Sequence, residues 1–122
     1  MTRTAKSQRT QWSTTFLVAA ELTRRGYTVA MTNGGHTPIA DLMVGTDDGR
    51  QFWVDVKGLS SRAPWLLKPQ RERLNLFYVL VYLASEPAVG DVREPDRYFV
   101  LRQNEANELV AKFLDAHKGD TG

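Results

Sequence analysis

The sequence predicts a single α/β domain in which a mixed β-sheet of about five strands is flanked by an N-terminal and a C-terminal helix. The chain has 122 residues, a length that suits one layered core. Apolar residues recur at helical spacing near both ends of the chain, and between them they show the alternation or the continuous run typical of strands. The order of a helix, three strands, an irregular stretch, two strands and a helix is that of an α/β or α+β fold.

Composition excludes several classes of protein. The chain contains no cysteine, which excludes disulfide frameworks, thiolate metal sites and thiol nucleophiles. No apolar run approaches the roughly 20 residues that a membrane-spanning helix needs. The N-terminus has no apolar segment of the kind found in secretory signals. We therefore expect a cytoplasmic protein that does not bind membranes.

The charge balance says less than the charge distribution. Lysine and arginine number 16 against 14 aspartate and glutamate residues, and the net charge of +2 is too small to indicate nucleic-acid binding by itself. The first acidic residue is Glu21, which follows several basic residues, and a second basic group occupies residues 62–73. This asymmetry is compatible with a basic face. The alternative is a solvated surface with ordinary variation in charge.

Two helices are predicted. The first covers residues 11–25, with Gly26 as the residue that ends it. The second runs from a cap at Asn104 to about Ala116. Residues 1–10 and 117–122 are expected to fray. The apolar faces of the two helices comprise Trp12, Phe16, Leu17 and Ala20 in the first, and Leu109, Val110, Phe113 and Leu114 in the second.

Five strands are predicted between the helices, over residues 27–31, 39–44, 51–57, 76–83 and 97–101. The run from Leu76 to Leu83 is continuously apolar and aromatic, which indicates a central strand buried on both faces. Gly58 permits a sharp exit from the third strand. Residues 58–75 are predicted to form a loop, with one short strand or turn near Trp65–Leu67 and a possible turn over residues 70–74.

The turn between the second and third strands determines which residues face each other. If Gly49 takes the left-handed conformation, residues 47–49 form a three-residue hairpin loop, and Thr46 pairs with Arg50. Counting back along the strands places Asp41 opposite Asp55. A two-residue loop would instead place Asp41 opposite Val54.

The first of these registers brings ionisable groups together. Alternation puts Trp53, Asp55 and Lys57 on one face of the third strand, and Asp41 joins them from the second strand. Facing carboxylates repel by up to ~1 kcal/mol, and a divalent cation such as Mg²⁺ would offset that repulsion. The alternative is that Lys57 neutralises Asp55 in a surface ion pair. We expect Trp53 to pack against the first helix.

These residues resemble a known family. The segment Pro38-Ile39-Ala40-Asp41 followed by Asp55-Val56-Lys57 is similar to the motif of the PD-(D/E)xK nuclease superfamily, over roughly residues 12–58. The resemblance implies the restriction-endonuclease-like three-layer core. It also implies that Asp41, Asp55 and the carbonyl group of Val56 bind Mg²⁺ or Mn²⁺, and that Lys57 activates the attacking water.

Two departures from the family pattern are visible. Family members usually carry another acid in the N-terminal half of the first helix, where this chain has Trp12-Ser13-Thr14-Thr15. The only acid of the helix is Glu21, which is a further catalytic candidate; the alternative is a surface partner of Arg24 or Arg25. The family also has a helix between the third and fourth strands, whereas residues 58–75 show no clear helical pattern.

The expected function is Mg²⁺-dependent hydrolysis of phosphodiester bonds in DNA, with RNA as the less favoured substrate. The alternative is a non-catalytic nucleic-acid-binding or assembly module that keeps the fold. A chain of this size has little surface for reading bases, so a homodimer or a larger protein partner is a reasonable expectation. Residues expected to contact nucleic acid, through phosphate binding, base stacking or substrate contact from a loop, are Arg62, Trp65, Lys68, Arg71, Arg73 and His36.

Overall fold

A computed structural model describes residues 5–32, 40–60, 75–84, 90 and 95–116. Within these ranges the chain forms two helices and five strands. In chain order these are α1 (Ala5–Arg24), β1 (Thr28–Met31), β2 (Leu42–Gly45), β3 (Gln51–Leu59), β4 (Leu76–Tyr82), β5 (Arg97–Arg102) and α2 (Gln103–Ala116). None of the helices in this part of the chain is long and apolar enough to cross a membrane.

The five strands form one mixed sheet in the order β1-β2-β3-β4-β5. Neighbouring strands are antiparallel except β3 and β4, which are parallel. The mixed α/β class and the five-stranded sheet predicted from the sequence are therefore confirmed. The finer assignment to the restriction-endonuclease-like fold stays a prediction.

The sheet carries a core on each face. On one face, Val18 of α1 packs with buried residues of the three central strands, among them Val44, Val54 and Val81. On the other face, Ala106 of α2 packs with Tyr78 and other buried residues of β4. The side chains of β4 alternate between these two clusters, so β4 is buried on both faces, as its continuous apolar sequence predicts.

The first helix differs from its prediction in both its start and its buried face. It begins at Ala5, so residues 5–10 are helical rather than frayed. The buried side chains are those of Thr14, Thr15 and Val18, whereas Trp12 and Phe16 are 49% and 54% exposed and stack on each other. The prediction that the aromatic face of α1 is buried is wrong. The reason is that α1 packs closely on β3, where small side chains fit.

That close packing depends on Gly58. A Cβ atom at this position would overlap the side chain of Thr14, with Oγ1, Cγ2 and Cβ all closer than real Cβ contacts allow. The Thr14 hydroxyl group is itself satisfied, because it donates to the carbonyl oxygen of Thr10 at 2.8 Å. Gly58 therefore serves helix packing within β3. The predicted chain exit at Gly58 is wrong, since the strand continues to Leu59.

The second helix also starts earlier and buries a different residue. It begins at Gln103, so Asn104 lies inside the helix and does not cap it. The cap is supplied by Glu105, whose carboxylate accepts a hydrogen bond from the backbone N–H of Arg102 at 3.0 Å. The small residue Ala106 is buried, whereas Leu109 is 51% exposed. Leu109 is therefore not part of the core face.

The remaining strands lie close to their predicted positions, with one difference that matters for the site. The ladder of β2 begins at Leu42, so Ala40 and Asp41 precede it. Predictions for residues 61–74, including the short strand or turn near Trp65–Leu67 and the turn over 70–74, lie outside the described residues.

Candidate metal centre

The hairpin between β2 and β3 has the three-residue loop that the sequence predicts. Gly49 has a φ of 88°, in the left-handed region. The N–H of Thr46 donates to the carbonyl oxygen of Arg50 at 2.9 Å. Met43 pairs with Trp53, which is the register expected for this loop. The two-residue alternative is excluded, and Asp41 approaches Asp55 as expected.

Asp41 lies where β2 separates from β3. The last pair of the ladder joins Leu42 to Val54, and the N–H of Asp41 also donates to the carbonyl oxygen of Val54, at 3.1 Å. In a regular ladder the next hydrogen-bonded pair would place residue 40 opposite Val56. Instead the side chain of Asp41 fills this position, and its Oδ2 accepts a hydrogen bond from the N–H of Val56 at 2.7 Å.

Asp55 is the most electrostatically perturbed group in the described part of the chain. Its side chain is 17% exposed, and its Oδ2 lies 3.2 Å from Nζ of Lys57. Burial and a hydrogen bond with the Asp41 carboxyl group raise the pKa of Asp55 from 3.8 to about 7, against the opposing effect of the Lys57 charge. Near neutral pH a large fraction of Asp55 is therefore protonated and can donate a hydrogen bond to the Asp41 side chain.

Lys57 has the exposure needed to act on a bound molecule. Its side chain is 37% exposed, more than twice the exposure of its partner Asp55. The ammonium group is therefore paired with the buried carboxyl group and still accessible to solvent. Both hypotheses from the sequence, a catalytic lysine and a neutralising one, predict this ion pair.

Gln11 of α1 completes the cluster, and sequence reasoning missed it. Its Nε2 donates to the carbonyl oxygen of Val56 at 3.0 Å and lies 3.4 Å from Oδ2 of Asp41. A signal for it existed, because Gln11, Thr15, Val18 and Leu22 recur at the spacing of one helix face. The face with Trp12 and Phe16 is more apolar, so the sequence favoured it as the buried face instead.

Glu21 is not brought to the cluster. It lies on the same helix as Gln11 but about 15 Å further along the axis. Its carboxylate pairs with Arg25 at 2.9 Å and with Arg24 at 3.6 Å, and its side chain is 42% exposed. The structure thus favours the alternative of a surface partner of Arg24 and Arg25.

Trp53 also has a different neighbour from the one predicted. It packs in the cluster of β4 and α2, on the face of the sheet opposite to α1. The reason is the alternation of β3: Val54 and Val56 face α1, so the odd-numbered residues, with Asp55 and Lys57, lie on the α2 side. The expected contact between Trp53 and the first helix is wrong.

The residues predicted to contact nucleic acid lie outside the described residues. This applies to the five residues of the 62–73 group and to the histidine of the glycine loop, namely Arg62, Trp65, Lys68, Arg71, Arg73 and His36. Their role stays a prediction.

The donor chemistry of the cluster fits Mg²⁺ or Mn²⁺. Over the described ranges, no group of three or more His, Cys, Asp and Glu side chains is arranged to hold a metal ion. The cluster offers two carboxyl groups and the carbonyl oxygen of Val56, all of which are hard oxygen donors. Mg²⁺ is commonly held by one or two carboxylates together with substrate phosphate and water, so two carboxylates meet its requirement.

Comparison of the chain with protein-family models, with curated proteins and with solved structures gives no match. The functional argument therefore depends on the residues of the cluster.

Proposed function

We propose that this protein is a metal-dependent nuclease of the restriction-endonuclease-like fold that hydrolyses phosphodiester bonds in DNA. The observation that carries the proposal is the convergence of Asp41 and Asp55, with Lys57 paired to Asp55, beside the point where β2 separates from β3. Burial and the neighbouring Asp41 disfavour the charged form of Asp55, and a bound divalent cation would favour it. The resemblance of Asp41 and Asp55-Val56-Lys57 to the PD-(D/E)xK motif supports the same assignment.

In this proposal Asp41 and Asp55 bind the cation together with the carbonyl oxygen of Val56. Bound Mg²⁺ or Mn²⁺ would supply Lewis-acid polarisation of the phosphate group and a lowered pKa of the attacking water. Lys57 donates a hydrogen bond to the attacking water or to a phosphoryl oxygen, and its positive charge stabilises the charge that develops there. Hydrolysis joins the water oxygen to phosphorus and breaks one phosphorus–oxygen bond, and the leaving oxygen gains a proton.

Cleavage of plasmid and of single-stranded DNA tests the proposal. Wild-type protein should cleave in Mg²⁺ or Mn²⁺ and should not cleave in EDTA. The Lys57→Met variant should lose about 10²–10³-fold in rate, the cost of removing one donor to developing charge. Lys112→Met is the matched control, since Lys112 is an exposed lysine of α2 away from the cluster. Equal rates for the Lys57 and Lys112 variants would remove Lys57 from the mechanism.

A second candidate is a non-catalytic nucleic-acid-binding module. One observation favours it: α1 contributes the neutral amide of Gln11 to the cluster and not a carboxylate. A site with only two carboxylates binds a divalent cation more weakly than one with three. DNA binding that weakens steeply with salt, without cleavage in either metal, would select this candidate.

A further inference from the structure

The contacts of Gln11 give this residue a specific place in the cluster. The backbone of Val56 faces the position that β2 leaves empty, and two side chains take the place of the missing strand partner. Asp41 accepts from the N–H of Val56, at 2.7 Å, and Gln11 donates to its carbonyl oxygen, at 3.0 Å. Gln11 therefore contacts the carbonyl oxygen and the carboxylate that the proposed function assigns to a cation.

The amide nitrogen of Gln11 has more acceptors than hydrogens. Its Nε2 lies within hydrogen-bond distance of Val56 O, of Asp41 Oδ2 and of Thr15 Oγ1, the last at 3.3 Å. A primary amide carries only two N–H groups. Three oxygen atoms of the protein thus compete for the two N–H groups of the Gln11 amide.

A cation bound to Asp41 and Val56 would favour the opposite orientation of the Gln11 side-chain amide. Without a cation, the oxygens of Asp41 and Val56 attract the positively polarised N–H groups of Gln11. A divalent cation bound to the same two oxygens repels those N–H groups and attracts a carbonyl oxygen. Rotation of the terminal amide by half a turn exchanges Nε2 and Oε1 with almost no change in shape. Hard cations accept amide carbonyl oxygens as ligands.

We propose that Gln11 is a cation-binding residue. Its side-chain amide rotates by half a turn when the divalent cation binds. Its Nε2 holds Asp41 and Val56 in position in the cation-free protein. Its Oε1 becomes the fourth protein oxygen of the site when Mg²⁺ or Mn²⁺ binds, beside the carboxylates of Asp41 and Asp55 and the carbonyl group of Val56. The inference rests on the proposed function, because it requires the cation.

Binding of Mn²⁺ to the full chain tests the inference without an activity assay. Free Mn²⁺ is measured by electron paramagnetic resonance during titration of wild type, Gln11→Met and Gln11→Glu. Methionine has a similar length and no oxygen, so Gln11→Met should weaken Mn²⁺ binding about tenfold. Glutamate replaces a neutral ligand oxygen with a charged one, so Gln11→Glu should tighten binding by at least as much. Gln8→Met and Gln8→Glu, at an exposed position of the same helix, should bind like wild type within twofold.

The possible outcomes separate the alternatives. Tighter Mn²⁺ binding by Gln11→Met would mean that the amide only competes with the cation. Unchanged Mn²⁺ binding would mean that the amide only supports the fold. Either result overturns the inference, provided that wild type binds Mn²⁺. If wild type itself does not bind millimolar Mn²⁺, the proposed metal site fails and the inference fails with it. Should Gln11→Met not fold, Gln11→Glu decides alone, since binding that is equal to or weaker than wild type overturns the inference.

A nuclear magnetic resonance measurement with Mg²⁺ checks the rotation itself. The side-chain N–H signals of Gln11 should shift on loading as the hydrogen bond to Val56 O is lost. Unchanged signals in a protein shown to bind Mg²⁺ would contradict the turnover of the amide.

Discussion

Replacing Asp55 by asparagine should change how stability depends on pH. Asparagine has nearly the same shape as a protonated aspartic acid and can still donate a hydrogen bond to Asp41. It cannot ionise. Wild type and Asp55→Asn should therefore have similar unfolding free energies in acid, where Asp55 is protonated, and should diverge as the pH rises.

The magnitude follows from the raised pKa. Burial and Asp41 raise the pKa of Asp55 from 3.8 to about 7, so the folded protein holds this proton more tightly than the unfolded chain. The stability that the proton contributes is complete below pH 3.8 and is lost as the pH rises through 7. At about 1.4 kcal/mol per pH unit, the loss is about 2 kcal/mol by pH 5 and about 4 kcal/mol by pH 8. Wild type should therefore lose about 2–3 kcal/mol relative to Asp55→Asn between pH 5 and pH 8.

Urea unfolding in EDTA at pH 5, 6, 7 and 8 measures this difference. Other titrating groups are common to both proteins and cancel. Asp47→Asn, in the exposed turn between β2 and β3, controls for the loss of one negative charge. A difference between wild type and Asp55→Asn that stays constant from pH 5 to pH 8 would refute the raised pKa of Asp55.

The same pair of proteins tests the metal site at pH 7.5. A ligand at a hundred times its dissociation constant stabilises the native state by about 2.7 kcal/mol. Saturating Mg²⁺ should therefore stabilise wild type by this amount and should stabilise Asp55→Asn much less, because a charged ligand has been removed. Equal stabilisation of both proteins would mean that the cation binds elsewhere.

Two further predictions concern the packing that holds the site in place. Gly58→Ala should lower the unfolding free energy by about 1–3 kcal/mol, because the added Cβ atom meets the fixed side chain of Thr14. Gly45→Ala is the control and should cost little, since the nearest atom to its added Cβ lies 4.0 Å away. Equal effects of the two substitutions in urea unfolding would contradict the close contact. Leu42→Ala should cost about 2–5 kcal/mol, since Leu42 is fully buried beside Asp41, and Val100→Ala, at a residue 66% exposed, should stay within about 0.5 kcal/mol of wild type. Similar values for these two variants would contradict the placement of Leu42 in the buried cluster between α1 and the sheet.

Much of the sheet and the central pair of the site could be predicted from the sequence. Strand alternation is a local property with a period of two, so the faces of β3 and the burial of β4 can be read directly from residue order. The hairpin register depends on one local choice, the left-handed conformation of Gly49, which glycine adopts readily. The approach of Asp41 to Asp55 follows from that register.

The contacts between elements could not be predicted in the same way. Alternation is the same in parallel and antiparallel strands, so the parallel pairing of β3 with β4 is not visible in it. The buried face of α1 depends on the fit between Thr14 and Gly58, residues far apart in the sequence. Helical spacing offered two faces, and the more apolar one, with Trp12 and Phe16, is the exposed one.

The sequence by itself determined the approximate positions of the five strands, the turn that joins β2 to β3 and the approach of Asp41 to Asp55, because these depend on neighbours along the chain. Only the tertiary structure decided that Gln11 joins Asp41 and Val56 while Glu21 stays on the surface. The reason is steric: α1 lies closely on β3 at Gly58, and this crossing point sets which turn of the helix meets the position that β2 leaves open.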